Sequence, residues 1–399
     1  MLAGQTVPVT STSYRSILRA PGVRWILATS LLGRLPAAMV GLAIILRVSR
    51  GTGSYADAGG ATAVYVVGAA ALGPVVGRVA DRIGRRPVLV ATALADTVAL
   101  LVLSRVPVHD TATLLGAAAL AGAATPPVAA AVRSLWPVLV AAEARHAVYA
   151  VDSTLQELTF VLGPSIVAIA GSAYGSAAPL VASAACGLVG TVTLATHPAV
   201  GARAPHTLRA ARGRFVSSRL VVLLCVAALL VVAFGMIDVG VVAFAGRHRA
   251  ANDAGLLLGT WSFGSLVGGA LFGKRAGAGG ARSLPPLLAA SGASFALLAT
   301  APDIPVLYPL LFLAGVAIAP SLGCVYALAG TLAPAESAVE VFSWLSSAIL
   351  AGAAVGSAAG GVVVQHGGSG TDELAGAAAA LLAASLTLVL RREPLSGGA

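Results

Sequence analysis

Five ionisable residues interrupt long apolar runs: Arg34, Asp96, Asp152, Glu157 and Asp238. A charge near the middle of an apolar helix in lipid costs at least about 2.5–3.5 kcal/mol on insertion scales, so each of these groups needs a partner, a wet cavity or a task. An acid facing such a cavity can take up and release protons, and a guanidinium there can hold an acid or an anion. Arg34 lies ten residues past Arg24, roughly 15 Å along a helix and too deep for its side chain to reach the surface easily.

Spacing groups some of these residues. Tyr149, Asp152, Ser153, Gln156, Glu157 and Phe160 recur three and four apart, so one face of a helix is polar and the others apolar. A shift of about 190 positions brings Glu340, Ser343, Trp344 and Ser347 onto the matching places. Two related helices therefore turn polar stripes toward one central space. Arg34, Asp152, Gln156, Glu157, Asp238, Glu340 and Trp344 are the expected lining of that space. Tyr65, Trp261, Tyr326 and Trp344 can stack on a ligand or simply pack.

The elements that position these residues follow from composition. With 58% hydrophobic and 10% charged residues and a mean hydropathy of +0.92 over 399 residues, the chain is expected to fold in lipid as an all-α membrane protein. Apolar runs predict twelve spans, near 24–46, 58–77, 88–105, 111–132, 146–171 and 176–196, then 219–245, 254–273, 283–301, 305–331, 338–365 and 373–390. Residues 197–218 form the long polar interruption, so the expected organisation is a six-helix half over 1–196, a central loop over 197–218 and a second half over 219–399.

The net charge of +10 raises the question of nucleic acid, and its distribution answers it. With both termini in the cytoplasm, nineteen of the 25 Lys and Arg fall on the cytoplasmic side and five (Arg47, Arg50, Arg105, Arg247, Arg249) on the outer side. That asymmetry is the positive-inside rule, and no nucleic-acid partner is needed. In this reading Arg133 is a positive-inside anchor near a span end. The expected location is the plasma or inner membrane, with the first span retained as a helix. Cys186, Cys225 and Cys324 sit in apolar spans without CxxC spacing and read as small core residues.

Between the second and third spans lies Gly77-Arg78-Val79-Ala80-Asp81-Arg82-Ile83-Gly84-Arg85-Arg86-Pro87. Gly77 permits close helix approach, Gly84 a positive φ, and Pro87 suits the first turn of the next helix. Asp81 can accept from backbone donors at a helix start or pair with Arg82, Arg85 or Arg86. The G-x-x-x-D-R-x-G-R-R-P spacing resembles the signature loop of the major facilitator superfamily. Span count, central loop and degenerate repeat extend the resemblance over the whole chain. The repeat places Gly273-Lys274-Arg275 against Gly77-Arg78, Ala314-Gly315 and Pro320 against Ala121-Gly122 and Pro127, and Ala338-Val339 against Ala147-Val148.

The resemblance implies two halves that rock about a central cavity, lined by the first, fifth, seventh and eleventh spans among others. It also implies that the 77–87 turn is a conformational latch built on Gly77, Asp81, Arg82, Gly84, Arg85 and Arg86, stabilising the outward-open state. Asp96, on a peripheral third helix in that fold, is expected to be structural. Gly163-Pro164 resembles part of an antiporter signature whose other glycines are replaced here, a modest pointer to export. The expected function is proton-coupled export of a small, partly apolar compound, resembling the drug:proton antiporter and sugar-efflux branch. The alternative is a proton symporter or facilitator importing a sugar or organic acid. Partners are then a small-molecule substrate, protons and the bilayer, with a monomer as the working unit. No phosphate-cradling glycine loop, nucleophile triad or metal cluster is present, so no enzyme activity, cofactor or metal is expected.

Overall fold

The computed structural model describes residues 22–52, 55–141, 144–201, 217–249, 254–272, 282–334, 337–367, 376 and 378–387. The described residues are mostly helical, joined by short turns, with no strand among them. Nine of the helices are long and apolar enough to cross a membrane, and three shorter apolar helices complete a set of twelve positions. Spans 1 to 6 are Val23–Thr52, Tyr55–Ile83, Arg85–Leu103, Thr111–Leu139, Arg145–Tyr174 and Ala178–Thr196. Spans 7 to 12 are Ser218–Arg247, Ala254–Phe272, Leu284–Leu298, Ile304–Leu332, Ala338–Gly367 and Ala378–Thr387. Gly273-Lys274-Arg275 and most of the central loop lie outside the described residues.

Packing uses glycine where backbones touch, because in lipid close van der Waals contact replaces the hydrophobic effect as the force between helices. A side chain at Gly122 of span 4 would strike the Tyr65 carbonyl of span 2, and one at Gly315 of span 10 would strike the Trp261 carbonyl of span 8. These two contacts are equivalent under the repeat expected from the sequence. Asp110 and Asp303, also about 190 positions apart, cap spans 4 and 10 by accepting from the backbone N–H of Thr113 and Val306, at 3.1 Å each. Gly190 meets the Gly33 backbone between spans 6 and 1, and Gly352 and Gly356 of span 11 meet span 7 at Ala228 and Val232.

Spans 4 and 10 are broken rather than continuous. Span 4 is helical over Thr111–Ala124, leaves the helix at residues 125–127 and resumes at Val128–Arg133. Pro126 and Pro127 remove two backbone donors there, and Thr125 takes an extended conformation as a residue before proline does. Span 10 breaks between Gly315 and Ile318. Span 5, by contrast, runs unbroken through Pro164. Cys324 is buried as expected, but Cys225 is exposed on the face of span 7, a correction to its reading as a core residue.

Candidate functional site

At the end of the bundle carrying the 77–87 turn, spans 2 and 11 are joined. The Asp81 carboxylate accepts from the backbone N–H of Val339 at 3.1 Å and of Glu340 at 2.8 Å. It thereby satisfies donors in the first turn of span 11 that no intrahelical carbonyl can reach. Of the two uses the sequence left open for Asp81, the structure takes the helix-start one. Arg78 donates to Glu340 through Nε at 2.9 Å and Nη2 at 2.5 Å. Gly77 faces Ser343 and the Glu340 backbone so closely that a Cβ would clash with both. One turn further, Ser347 donates to the Ala70 carbonyl at 2.7 Å.

Glu340, expected to line the central space, is 3% exposed and sits inside this seam, and the Ser343 and Ser347 faces pack on span 2 with it. Trp344 is displaced from that face and remains exposed. Within the turn, Gly84 has the positive φ expected of it, 108°. Arg86 reaches the Thr196 and His197 carbonyls at the end of span 6, Arg85 is half-buried beside Asp81, and Arg82 is exposed.

The seam continues between span 5 and spans 8 and 10. Ser153 donates to the Ala319 carbonyl at 3.1 Å, Gly269 approaches Thr154, and Gly330 lies against the Tyr149 ring. Past these residues both faces open. Val161, two turns beyond Thr154 on the same face of span 5, is 51% exposed. Ala351, Ala354 and Ala358 continue the Ser347 face of span 11 and are exposed as well. Span 2 with span 11, and span 5 with spans 8 and 10, therefore touch at the turn end, and the same faces are exposed toward the other end.

The charged core lies beside this seam, one residue before Ser153 on span 5. Asp152 is fully buried, accepting from Arg34 Nη2 at 2.6 Å and from Arg133 Nε at 2.7 Å. Arg34 thus has the acidic partner its depth demanded. Arg133 corrects the sequence reading outright: it is 2% exposed, buried among spans 4, 5 and 10, and is no surface anchor. Arg133 ends the short helix Val128–Arg133 that follows the break at Thr125-Pro126-Pro127. Its guanidinium lies 3.6 Å from the Tyr326 ring centroid, a cation–π contact, and its carbonyl accepts from the Tyr149 hydroxyl at 3.1 Å.

Above this cluster, Gln156 and Glu157 are half-buried and Asp238 is exposed. Glu157 and Asp238 are near enough to feel each other's charge, and Tyr326 lies within electrostatic reach of Glu157, Arg34, Arg133 and Asp152. The structure therefore brings Arg34, Asp152, Glu157 and Asp238 to one region and adds Arg133 and Tyr326, while Glu340 belongs to the seam. Asp96 is buried inside the first six spans, with its carboxylate 3.7 Å from where a Cβ on Gly187 would be. Among the described residues no group of three or more His, Cys, Asp and Glu could hold a metal ion.

Comparison with known proteins identifies the architecture. None of the curated proteins matches this chain. Among solved structures, the human organic anion transporter MFSD10 superposes with a TM-score of 0.73 at 18% identity, covering 91% of this chain and 99% of that one. A bacterial homologue of the iron transporter ferroportin, in an outward-facing state, gives 0.76 at 18% identity, with coverage of 93% and 99%. A proton:xylose symporter bound to 6-bromo-6-deoxy-D-glucose gives 0.73 at 14% identity, with coverage of 94% and 96%. At these identities the likeness is one of fold. The Major Facilitator Superfamily profile matches residues 26–284, more than half of the sequence. This chain belongs to the major facilitator superfamily and is an integral membrane transporter.

Proposed function

We propose that this protein is a proton-coupled secondary transporter that moves a small, partly apolar compound across the plasma or inner membrane by alternating access. It acts as a monomer of two six-helix halves, over 1–196 and 219–399, with both termini in the cytoplasm. The positive-inside rule supports that orientation and makes the turn end the cytoplasmic one, so the form described above is outward-open. The 77–87 turn, through the contacts of Gly77, Arg78 and Asp81 with span 11, holds the cytoplasmic seam shut. The observation that carries the proton-coupled reading is the pair Glu157 and Asp238. Both are acids deep within spans, neither is buried away, and among the described residues no cation is bonded to either. An acid in that position can exchange protons with the outer solution while the cavity is open and with the cytoplasm after it rocks.

The exporting direction draws on the Gly163-Pro164 pattern and on the Ala- and Gly-rich walls of the opening. A second reading, entry of an organic acid together with a proton, is favoured by the excess positive charge of Arg34 and Arg133 over Asp152. A proton on Glu157 strengthens the attraction of that region for an anion, so anion and proton would travel together. Either direction draws on the same gradient, which releases about 2.3 kcal/mol per charge per 100 mV.

The test is accumulation of ethidium in inverted vesicles under an imposed proton gradient. Gradient-driven accumulation that disappears in Glu157→Gln, with the variant still folded, supports proton-coupled export through Glu157. Accumulation unchanged in Glu157→Gln removes the proton role of that residue, and no accumulation at all argues against cationic dye export.

A further inference from the structure

We propose that the Arg34, Asp152 and Arg133 cluster is the docking point for an oxyanion on the transported solute, a carboxylate or a group of similar chemistry. The inference rests on the chain being a carrier with a central solute site, and it specifies the class of solute. Two guanidiniums share a single carboxylate, so the cluster keeps one net positive charge in a region from which solvent is nearly excluded. Arg34 is 4% and Arg133 2% exposed. Each guanidinium spends one N–H group on Asp152, while Nε and Nη1 of Arg34 and Nη2 of Arg133 are buried with no hydrogen-bond partner.

A structural ion pair in a membrane interior is expected to balance its charges and satisfy its donors, because unpaired charge and unmet N–H groups both cost free energy there. Water would satisfy the donors but leave the charge. An oxyanion satisfies both, and the planar fork of arginine matches the two oxygens of a carboxylate. Asp152 orients both forks by occupying one edge of each. Tyr326, itself buried, lies over Arg133 and holds that guanidinium in place by a cation–π contact. The position also fits: the cluster joins spans 1, 4 and 5 beside the contact of span 5 with span 10 of the other half. A bound anion would touch both halves, as a solute that drives their rocking must.

The experiment measures thermal unfolding of the purified full-length protein in phosphatidylcholine nanodiscs. Benzoate, hippurate and 2-naphthoate are each compared with their neutral amides, and benzyltrimethylammonium serves as a cation. The expected result is stabilisation by at least one carboxylate with its amide inert, and roughly tenfold weaker carboxylate affinity in Arg34→Gln and Arg133→Gln. If those variants do not fold, Asp152→Asn decides. It raises the net charge of the cluster, so a carboxylate should stabilise it more than it stabilises the wild type, whereas a triad sealed from solute would leave the variant indifferent to carboxylates.

Stabilisation by amides or by the cation as strong as that by carboxylates overturns the proposal. So does the absence of any carboxylate effect in both wild type and Asp152→Asn. The measurement involves no proton gradient, so it can fail while the Glu157 reading stands, or hold while that reading fails.

Discussion

Asp152 is the residue on which most charge converges. Replacing it with Asn leaves two buried guanidiniums facing each other with one neutral partner. Breaking a buried ion pair on one side costs about 3–5 kcal/mol, so Asp152→Asn should lower the thermal midpoint by several degrees. Removing Arg133 together with it, as Asp152→Asn with Arg133→Gln, should recover part of that loss. Equal stability of wild type and Asp152→Asn in the same nanodiscs would contradict the buried triad.

Two of the three members of this cluster were legible in the sequence. Arg34 and Asp152 stand out because charge is scarce around them, and the depth of Arg34 demands an acid. Which acid it meets depends on spans 1 and 5 lying side by side, which no local pattern encodes. Arg133 was misread because it stands near the apparent end of an apolar run, where arginines usually anchor. The signal that could have found it is Pro126-Pro127 six residues earlier, which breaks the helix and makes the segment carrying Arg133 a separate short helix.

At the scale of elements, the paired contacts between spans 2 and 4 and between spans 8 and 10 are fixed by glycines facing backbone. Gly315→Val places two methyl groups where the Trp261 carbonyl already lies. Overpacking of this kind costs about 1–3 kcal/mol, and pulse proteolysis should show a correspondingly destabilised second half. Wild-type resistance would mean that the backbones can separate more freely than their contact implies.

Glu340 illustrates what periodicity can and cannot tell. The stripe of Glu340, Ser343 and Ser347 was correctly one face of span 11, but spacing fixes a face and not its neighbour. In this conformation that neighbour is span 2, so Glu340 meets Arg78 rather than a solute. The 77–87 turn was far more legible, because Gly84, Pro87 and Asp81 are residue types with narrow backbone requirements. The positive φ of Gly84 is realised, and so is one of the two uses open to Asp81.

For the molecule as a whole, the twelve-position arrangement was readable from apolar runs and charge asymmetry, since lipid leaves few alternatives to a helical bundle. The direction in which the bundle opens was not, because it depends on a balance of seam contacts against solvation that composition does not carry. The turn end is held by Asp81 at the start of span 11, by Arg78 with Glu340 and by Ser347 with Ala70. Losing an acceptor at a helix start costs about 1 kcal/mol. Asp81→Ala should therefore shift a two-state equilibrium roughly fivefold toward the form closed on the outside.

The most direct test of alternating access places a single thiol at Val161→Cys, after Cys186, Cys225 and Cys324 are replaced by Ser. A membrane-impermeant maleimide is then applied to intact cells and to inverted vesicles. The account predicts rapid labelling from the outside, slow labelling from the cytoplasmic side, and an outside rate lower by up to about threefold when Asp81→Ala is added. Labelling that is faster from the cytoplasmic side, or an outside rate indifferent to Asp81, would contradict an outward-open cavity held in place by the 77–87 turn.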